Sequence, residues 1–152
     1  METLIEYVFG TYPSWSHLVV RIALGVIFFA HGAQKTFGWF GGHGLSATIS
    51  GFRQMNVPPA ATALAAFTEC FGGLALIVGL LARPTAIGLI LVMLVAIAKV
   101  HGKHGFFLNF SMTPGKGHGY EFNLALIALA LSILVGGAGA LSIDRLIAPF
   151  GG

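Results

Sequence analysis

The chain has 152 residues, of which 9% are charged and 56% hydrophobic, with a mean hydropathy of +0.86 and a formal net charge of +3. A water-soluble domain carries roughly 25% charged residues, so this composition excludes one. It equally excludes a disordered chain and, with eight basic residues, a nucleic-acid partner. The single cysteine, Cys70, excludes an internal disulfide, dithiol redox chemistry and a thiolate zinc cage.

The N-terminus does not read as a cleavable signal, because Glu2 and Glu6 stand where a signal peptide needs basic residues. Leu4, Ile5, Val8, Phe9 and Tyr12 form one face of a short surface helix, and Trp15 follows at the membrane interface. A membrane helix needs roughly 20 mainly apolar residues. Four stretches meet that requirement, at about 18–37, 60–82, 84–100 and 122–141. The expected fold is therefore all-α: a single domain over 1–152, an integral membrane bundle of four transmembrane helices with flanking interfacial helices.

The second and third stretches join through the tight turn Ala82-Arg83-Pro84. The other two connections are long. The first opens with Phe37-Gly38-Trp39-Phe40-Gly41-Gly42 and continues with Leu45, Ile49, Phe52 and Met55 at helical spacing, the pattern of an amphipathic helix in the interface. The second holds Phe106, Phe107, Phe110 and Met112, too apolar for a free loop, and is expected to dip into the headgroups or fold as a lid over the bundle. Up-and-down order then puts both termini on the side of the tight turn. Lys35, Arg53, Lys99, Lys103 and Lys116 lie towards the long loops and Arg21, Arg83 and Arg145 towards the termini, so the positive-inside rule favours cytoplasmic long loops only if Lys35 and Lys99 are counted, and the two sides tie without them. Thr62, Ala66, Glu69 and Gly73 share a face of the second stretch, and Ser132, Gly136 and Ala140 are spaced four apart in the fourth, patterns that allow close helix packing.

An ionisable residue within a span is costly and reads as functional. His31 and Lys35, four apart, share a face that Gln34 flanks. Glu69 lies about nine residues into the second stretch, or roughly 14 Å at 1.5 Å per residue. Lys99 and His101 close the third stretch; Glu121 and Asn123 open the fourth. All fall in the half nearer the long loops. Lys35, Lys99 and Lys103 can also snorkel to headgroups, and Glu121 suits a helix N-terminus. Arg21 and Arg83 read as headgroup anchors, Asp144 and Arg145 as exposed. A buried carboxylate needs a proton or a cation, and Lys35, Lys99 and His31 are the candidates for Glu69. Glu69 and His31 are therefore read as lining a ligand or proton site. His101, His104 and His118 have no suitably spaced carboxylate or thiolate, so no metal site is assigned. The sequon Asn109-Phe110-Ser111 is a match expected by chance, and Cys70 reads as a small buried apolar residue.

The stretch Phe29-Ala30-His31-Gly32-Ala33-Gln34-Lys35 with Phe37-Gly38, then Glu69, Gly72-Gly73 and Gly79-Leu80-Leu81-Ala82-Arg83, resembles the DoxX family of small four-helix membrane proteins. Val100-His101, Gly105-Phe106-Phe107, Glu121 and the segment Gly137-Ala138-Gly139-Ala140-Leu141-Ser142-Ile143-Asp144 extend the likeness over about 18–145. The family takes its name from subunits of quinone-linked sulfur oxidation in archaea. Other members are linked to quinone and catechol resistance or to membrane oxidoreductase assemblies. The resemblance implies the four-helix fold, a prokaryotic inner membrane and a quinone-binding oxidoreductase component; it brings no residue roles with it.

On that reading Phe28, Phe29, Trp39, Phe106 and Phe107 form an apolar slot for the quinone. His31 or Lys35 donates to a quinone carbonyl, and Glu69 exchanges a proton where Lys35 does not compensate its charge. Gln34, Lys99, His101, Glu121 and Asn123 complete the polar lining. No flavin or iron–sulfur motif is present, so electrons come from a partner subunit. His31 and His101 could ligate a haem b, which the resemblance does not suggest. The rival readings are a carrier using the same polar pocket as a proton-linked substrate site, as a homodimer because four helices are few for alternating access, and a ligand-free scaffold.

Overall fold

The computed structural model describes residues 2–148, with side chains from Leu4 onward; Met1 and 149–152, the ends of the expected domain, lie outside the described residues. The helices are α1 (Glu2–Phe9), α2 (Trp15–Phe37), α3 (Gly44–Arg53), α4 (Pro59–Val78), α5 (Ala82–Ala96), α6 (Glu121–Gly136) and α7 (Ile143–Ile147). A π turn, Ile97–His101, and a 3-10 turn, Gly102–His104, prolong α5. There is no strand among the described residues. By length and composition α2, α4 and the prolonged α5 can each cross a membrane; α6 is equally apolar but has 16 residues. The molecule is an all-α membrane helical bundle.

Local chemistry sets the ends. Ser14 caps α2 by accepting from the His17 N–H. Gly38 and Gly79, both left-handed, close α2 and α4, and Pro59 occupies the first turn of α4. The core runs down the bundle axis through Leu24, Phe28, Leu76, Leu89, Leu126 and Ile133. α2 and α4 pack closest, on glycines: a Cβ at Gly32 would lie 2.1 Å from the Cys70 backbone nitrogen, and one at Gly73 would lie 2.4 Å from that of Phe29. Thr62, Ala66, Glu69 and Gly73 are all buried, as their shared face implies. Leu45, Ile49, Phe52 and Met55 are half-buried; α3 ends at Arg53, so Met55 lies just beyond it.

The end of the fourth stretch departs from expectation. The helix stops at Gly136, not near 141, because Gly137 and Gly139 take left-handed φ values of 77° and 79°. The expected row of Ser132, Gly136 and Ala140 is thereby broken: Gly136 packs against His17, and Ala140 belongs to the unwound segment. Residues 137–140 run buried through the bundle as irregular backbone. Such backbone survives at membrane depth only when protein satisfies its polar groups. Thr11 Oγ1 accepts from Gly139 N at 2.7 Å, and Ser14 O from Ala140 N at 3.0 Å.

Arg21 supplies the rest, and is not the headgroup anchor expected. It is 0% exposed. Its Nε donates to Ala138 O at 2.9 Å, its Nη1 to Leu76 O and Ile77 O at 2.6 Å each, and its Nη2 to Ala140 O at 3.3 Å and Leu141 O at 3.0 Å. One guanidinium thus ties α2 to the C-terminus of α4 and to the unwound segment, a use of its fixed donor fork that lysine cannot copy.

Asp144, expected to be exposed, is 1% exposed. Its carboxylate accepts from Leu81 N at 2.7 Å and Ala82 N at 2.8 Å, capping α5 from α7. Burial pushes its carboxyl above the ordinary value of 3.8, against the opposing pull of those two N–H groups and of Arg21 and Arg83. The folded protein therefore holds this proton to higher pH than the unfolded chain does. Its contribution is full below 3.8 and declines as pH rises through the raised folded value. Thermal melting in detergent micelles from about pH 4 upward is expected to show this decline, and Asp144→Asn to flatten it; an unaltered slope in the variant would assign the pH dependence to other groups.

Candidate functional site

The antiparallel order brings the C-terminal ends of α2 and α5 together with the N-terminal ends of α4 and α6. At this end Lys35 Nζ donates to Glu69 Oε1 at 2.5 Å and Oε2 at 2.6 Å. The Glu69 side chain is 2% exposed and that of Lys35 30%. The carboxylate in α4 has thus found its cation on α2, the compensation a buried charge requires. The glycine contact at Gly32 sets this register, since Gly32 touches the backbone of Glu69 and Cys70.

Beside the ion pair lies a cavity of about 510 Å³. His31, Lys35, Glu69, His101 and Asn123 give it a polar side, contributed by α2, α4, the π turn and α6. Phe28, Met93, Phe122 and Leu126 give it apolar walls. Asn123 Nδ2 donates to Met93 Sδ at 3.4 Å, a weak acceptor that leaves the amide free for a stronger partner. His31 is exposed and has no hydrogen-bond partner among the described residues. The π turn is what aims His101. Its wider turn slows the rotation of the chain, so His101 follows Val100 onto the cavity face while Lys99 stays exposed.

The second long connection roofs the cavity with Leu108, His118 and Gly119. It is pinned at both ends. Tyr120 N donates to Gly105 O at 3.1 Å, Glu121 N to Phe106 O at 2.9 Å and Leu108 N to Glu121 Oε1 at 2.7 Å. His101 Nδ1 lies 3.0 Å from His118 O, and Asn109 N donates to His118 Nδ1 at 3.2 Å. Asn109 is 6% exposed and its amide donates to Thr113 O and Lys116 O, so the sequon is closed to modification. Phe107, Phe110 and Met112 point outward from the same loop. The segment is thus a lid that also presents an apolar rim.

Of the residues read as site candidates, His31, Lys35, Glu69, Phe28, His101 and Asn123 meet at this cavity. The others do not line it. Gln34 donates to Phe40 O in the turn after α2. Trp39 is 53% exposed and packs against Phe37 and Phe40. Phe106 packs edge-on against Phe107 and Tyr120, Glu121 fastens the lid, and Lys99 faces outward. Sequence reading missed Phe52, Met93, Leu108 and Phe122 as lining residues and left His118 without a role. For His118 a signal exists: it precedes the fourth stretch by one short turn, on the side where His31, Lys35, Glu69, His101 and Asn123 gather. Among the described residues no group of three His, Cys, Asp or Glu side chains is placed to hold a metal ion.

An apolar antiparallel bundle with an ion pair and a polar-lined cavity inside one end defines an integral membrane protein of the small helical-bundle class. The chain belongs to the DoxX family, whose family model matches residues 16–102, more than half of its length. The match holds α2 to the π turn, and so His31, Lys35, Glu69 and His101. Asn123, His118 and the lid lie beyond it. No curated protein and no solved structure matches the chain.

Proposed function

We propose that this protein is a quinone-binding component of a membrane oxidoreductase system in a prokaryotic cytoplasmic membrane. The observation that carries the reading is the cavity itself. Ligand sites of roughly 300–1,000 Å³ with apolar walls and a few convergent polar groups are the usual form for such a molecule, and this one has about 510 Å³, aromatic walls and polar groups from four elements. A quinone head is a flat ring with two carbonyl acceptors. When bound, it takes up electrons and protons and leaves as the quinol.

The residues present fit the head. An N–H of His31 donates to one carbonyl and the Asn123 amide to the other, while Phe28 and Phe122 exclude water from the ring faces; His101, whose Nδ1–H is taken by His118 O, offers Nε2 as an acceptor. Lys35 spends two of its three donors on Glu69 and keeps one. Because Lys35 compensates Glu69, the pair acts as a unit: it lodges a carboxylate inside the bundle at little net charge. The sequence has no flavin or iron–sulfur motif, so electrons reach the site from a partner subunit.

The test is a titration of the protein in lipid nanodiscs with a tailless benzoquinone, followed by absorbance. His31→Ala and Glu69→Gln are expected to weaken binding by about tenfold or more, equivalent to about 1.4 kcal/mol, with thermal melting confirming that each variant is folded. Unchanged binding in both variants would refute the site. Proton-coupled accumulation of a small solute in liposomes without any redox partner would instead establish the carrier reading.

A further inference from the structure

The ion pair has a second cavity on its other side. Lys35, Phe52, Glu69 and Ala96 line both the 510 Å³ cavity and a neighbouring one of about 270 Å³, so the two adjoin along these four residues. The second cavity is a groove between α4 and α5. Its floor is Ala65, Val92 and Gly88, and its rim is Leu64, Leu91 and Val95. The rim residues are exposed by 68%, 58% and 48%, so the groove opens sideways between two membrane-crossing helices. Small residues make it: Ala61 and Ala65 leave space that longer side chains would fill, and Gly88 lets α5 approach Thr68 of α4, where an added Cβ would lie 3.0 Å from its methyl.

We infer that this groove is a lateral portal holding the apolar isoprenoid or alkyl tail of the molecule whose polar head occupies the inner cavity. The inference rests on the quinone reading above and adds the place of the tail. A head enclosed by protein leaves its tail two ways out. One mouth, at His31 and His118 beneath the lid, is polar and lies at headgroup level, where each methylene would meet water. The other is apolar and faces the lipid chains. Moving a tail from lipid into such a groove gains little hydrophobic energy, since lipid and leucine are equally apolar. What the groove supplies is a path that keeps the tail dry, with the ion pair at the threshold between head and tail.

The experiment uses two probes in nanodiscs: a tailless benzoquinone and the same ring carrying a decyl tail with a terminal diazirine. Illumination of the wild-type protein is expected to label peptides of α4 and α5 around Leu64, Leu91 and Val95, in competition with unlabelled decylquinone. Ala65→Phe, which fills the groove from a half-exposed position, is expected to weaken the tailed probe by about tenfold and to leave the tailless ring bound as before. Leu131→Phe, on the outward face of α6, is the control and should alter neither. Labelling concentrated on α2 and α6 around His31 and Phe122, or equal affinity of both probes for Ala65→Phe and wild type, would overturn the portal while leaving the head site standing. Failure of both probes to bind the wild type saturably would overturn the quinone reading itself, and the portal with it.

Discussion

Arg21→Met is expected to destabilise the fold by on the order of 3–5 kcal/mol, read as a large fall in melting temperature in detergent and in the yield of folded protein. The variant removes the guanidinium donors from five carbonyls at once, those of Ala138, Leu76 and Ala140 in buried bonds, and Leu76 O keeps its bond from Gly79 N. A buried acceptor left without a partner costs about 1–3 kcal/mol, and the five losses overlap because they share one side chain. Methionine keeps much of the volume, so the deficit is one of hydrogen bonds rather than packing. Arg21→Lys should recover part of it: an ammonium has three donors and cannot span carbonyls contributed by α4 and by the unwound segment together. Melting curves of the two variants that coincide with wild type would show that water or lipid serves these carbonyls instead.

Gly32→Ala is the second substitution with a large expected effect, and it reaches the candidate site. The added methyl would lie 2.1 Å from the Cys70 nitrogen and 2.7 Å from the Glu69 carbonyl carbon. Neither is a flexible side chain, so α2 and α4 must separate. Overpacking of this kind typically costs about 1–3 kcal/mol and occasionally more. Separation also lengthens the Lys35–Glu69 contact, so binding of the proposed quinone should weaken along with stability. Gly51→Ala in α3 is the matched control. It meets nothing within 4 Å and should be neutral or stabilise by up to about 1 kcal/mol, through helix propensity alone. Equal melting temperatures for the two alanine variants would contradict the close helix crossing.

Much of this was readable from the residues. Apolar runs located α2, α4 and the prolonged α5, and antiparallel order alone sufficed to gather His31, Lys35, Glu69, His101 and Asn123 at one end. Lys35 was among the three cations open to Glu69, and the structure selects it. What escaped reading has local causes. A helical wheel assumes a constant rotation per residue, and the π turn at Ile97–His101 breaks that rule where Lys99 and His101 must be told apart. Trp39 and Phe106 sit next to glycine-rich turns whose direction no periodicity describes. Arg21 stands six residues into α2, where an arginine ordinarily snorkels. Its true partners are carbonyls created by the break at Gly137, and the glycines of 136–139 were the available warning. Asp144 was misread for the same reason: its cap joins residues 62 and 63 positions apart.

The early end of α6 has a consequence for the bilayer around the protein. Sixteen residues at 1.5 Å each span about 24 Å, whereas a typical hydrocarbon core is about 30 Å thick. The lipid bordering α6 must therefore thin, or the helix draw its flanks inward, at a cost of fractions of a kcal/mol per Å of hydrophobic mismatch. The shortfall lies at the Gly136 end, so thinning on this one side brings headgroups and water towards Gly136, His17 and Thr11, at the end of the bundle away from the cavity. The α4–α5 side, built from α4 and the prolonged α5, keeps a full thickness of hydrocarbon against the groove.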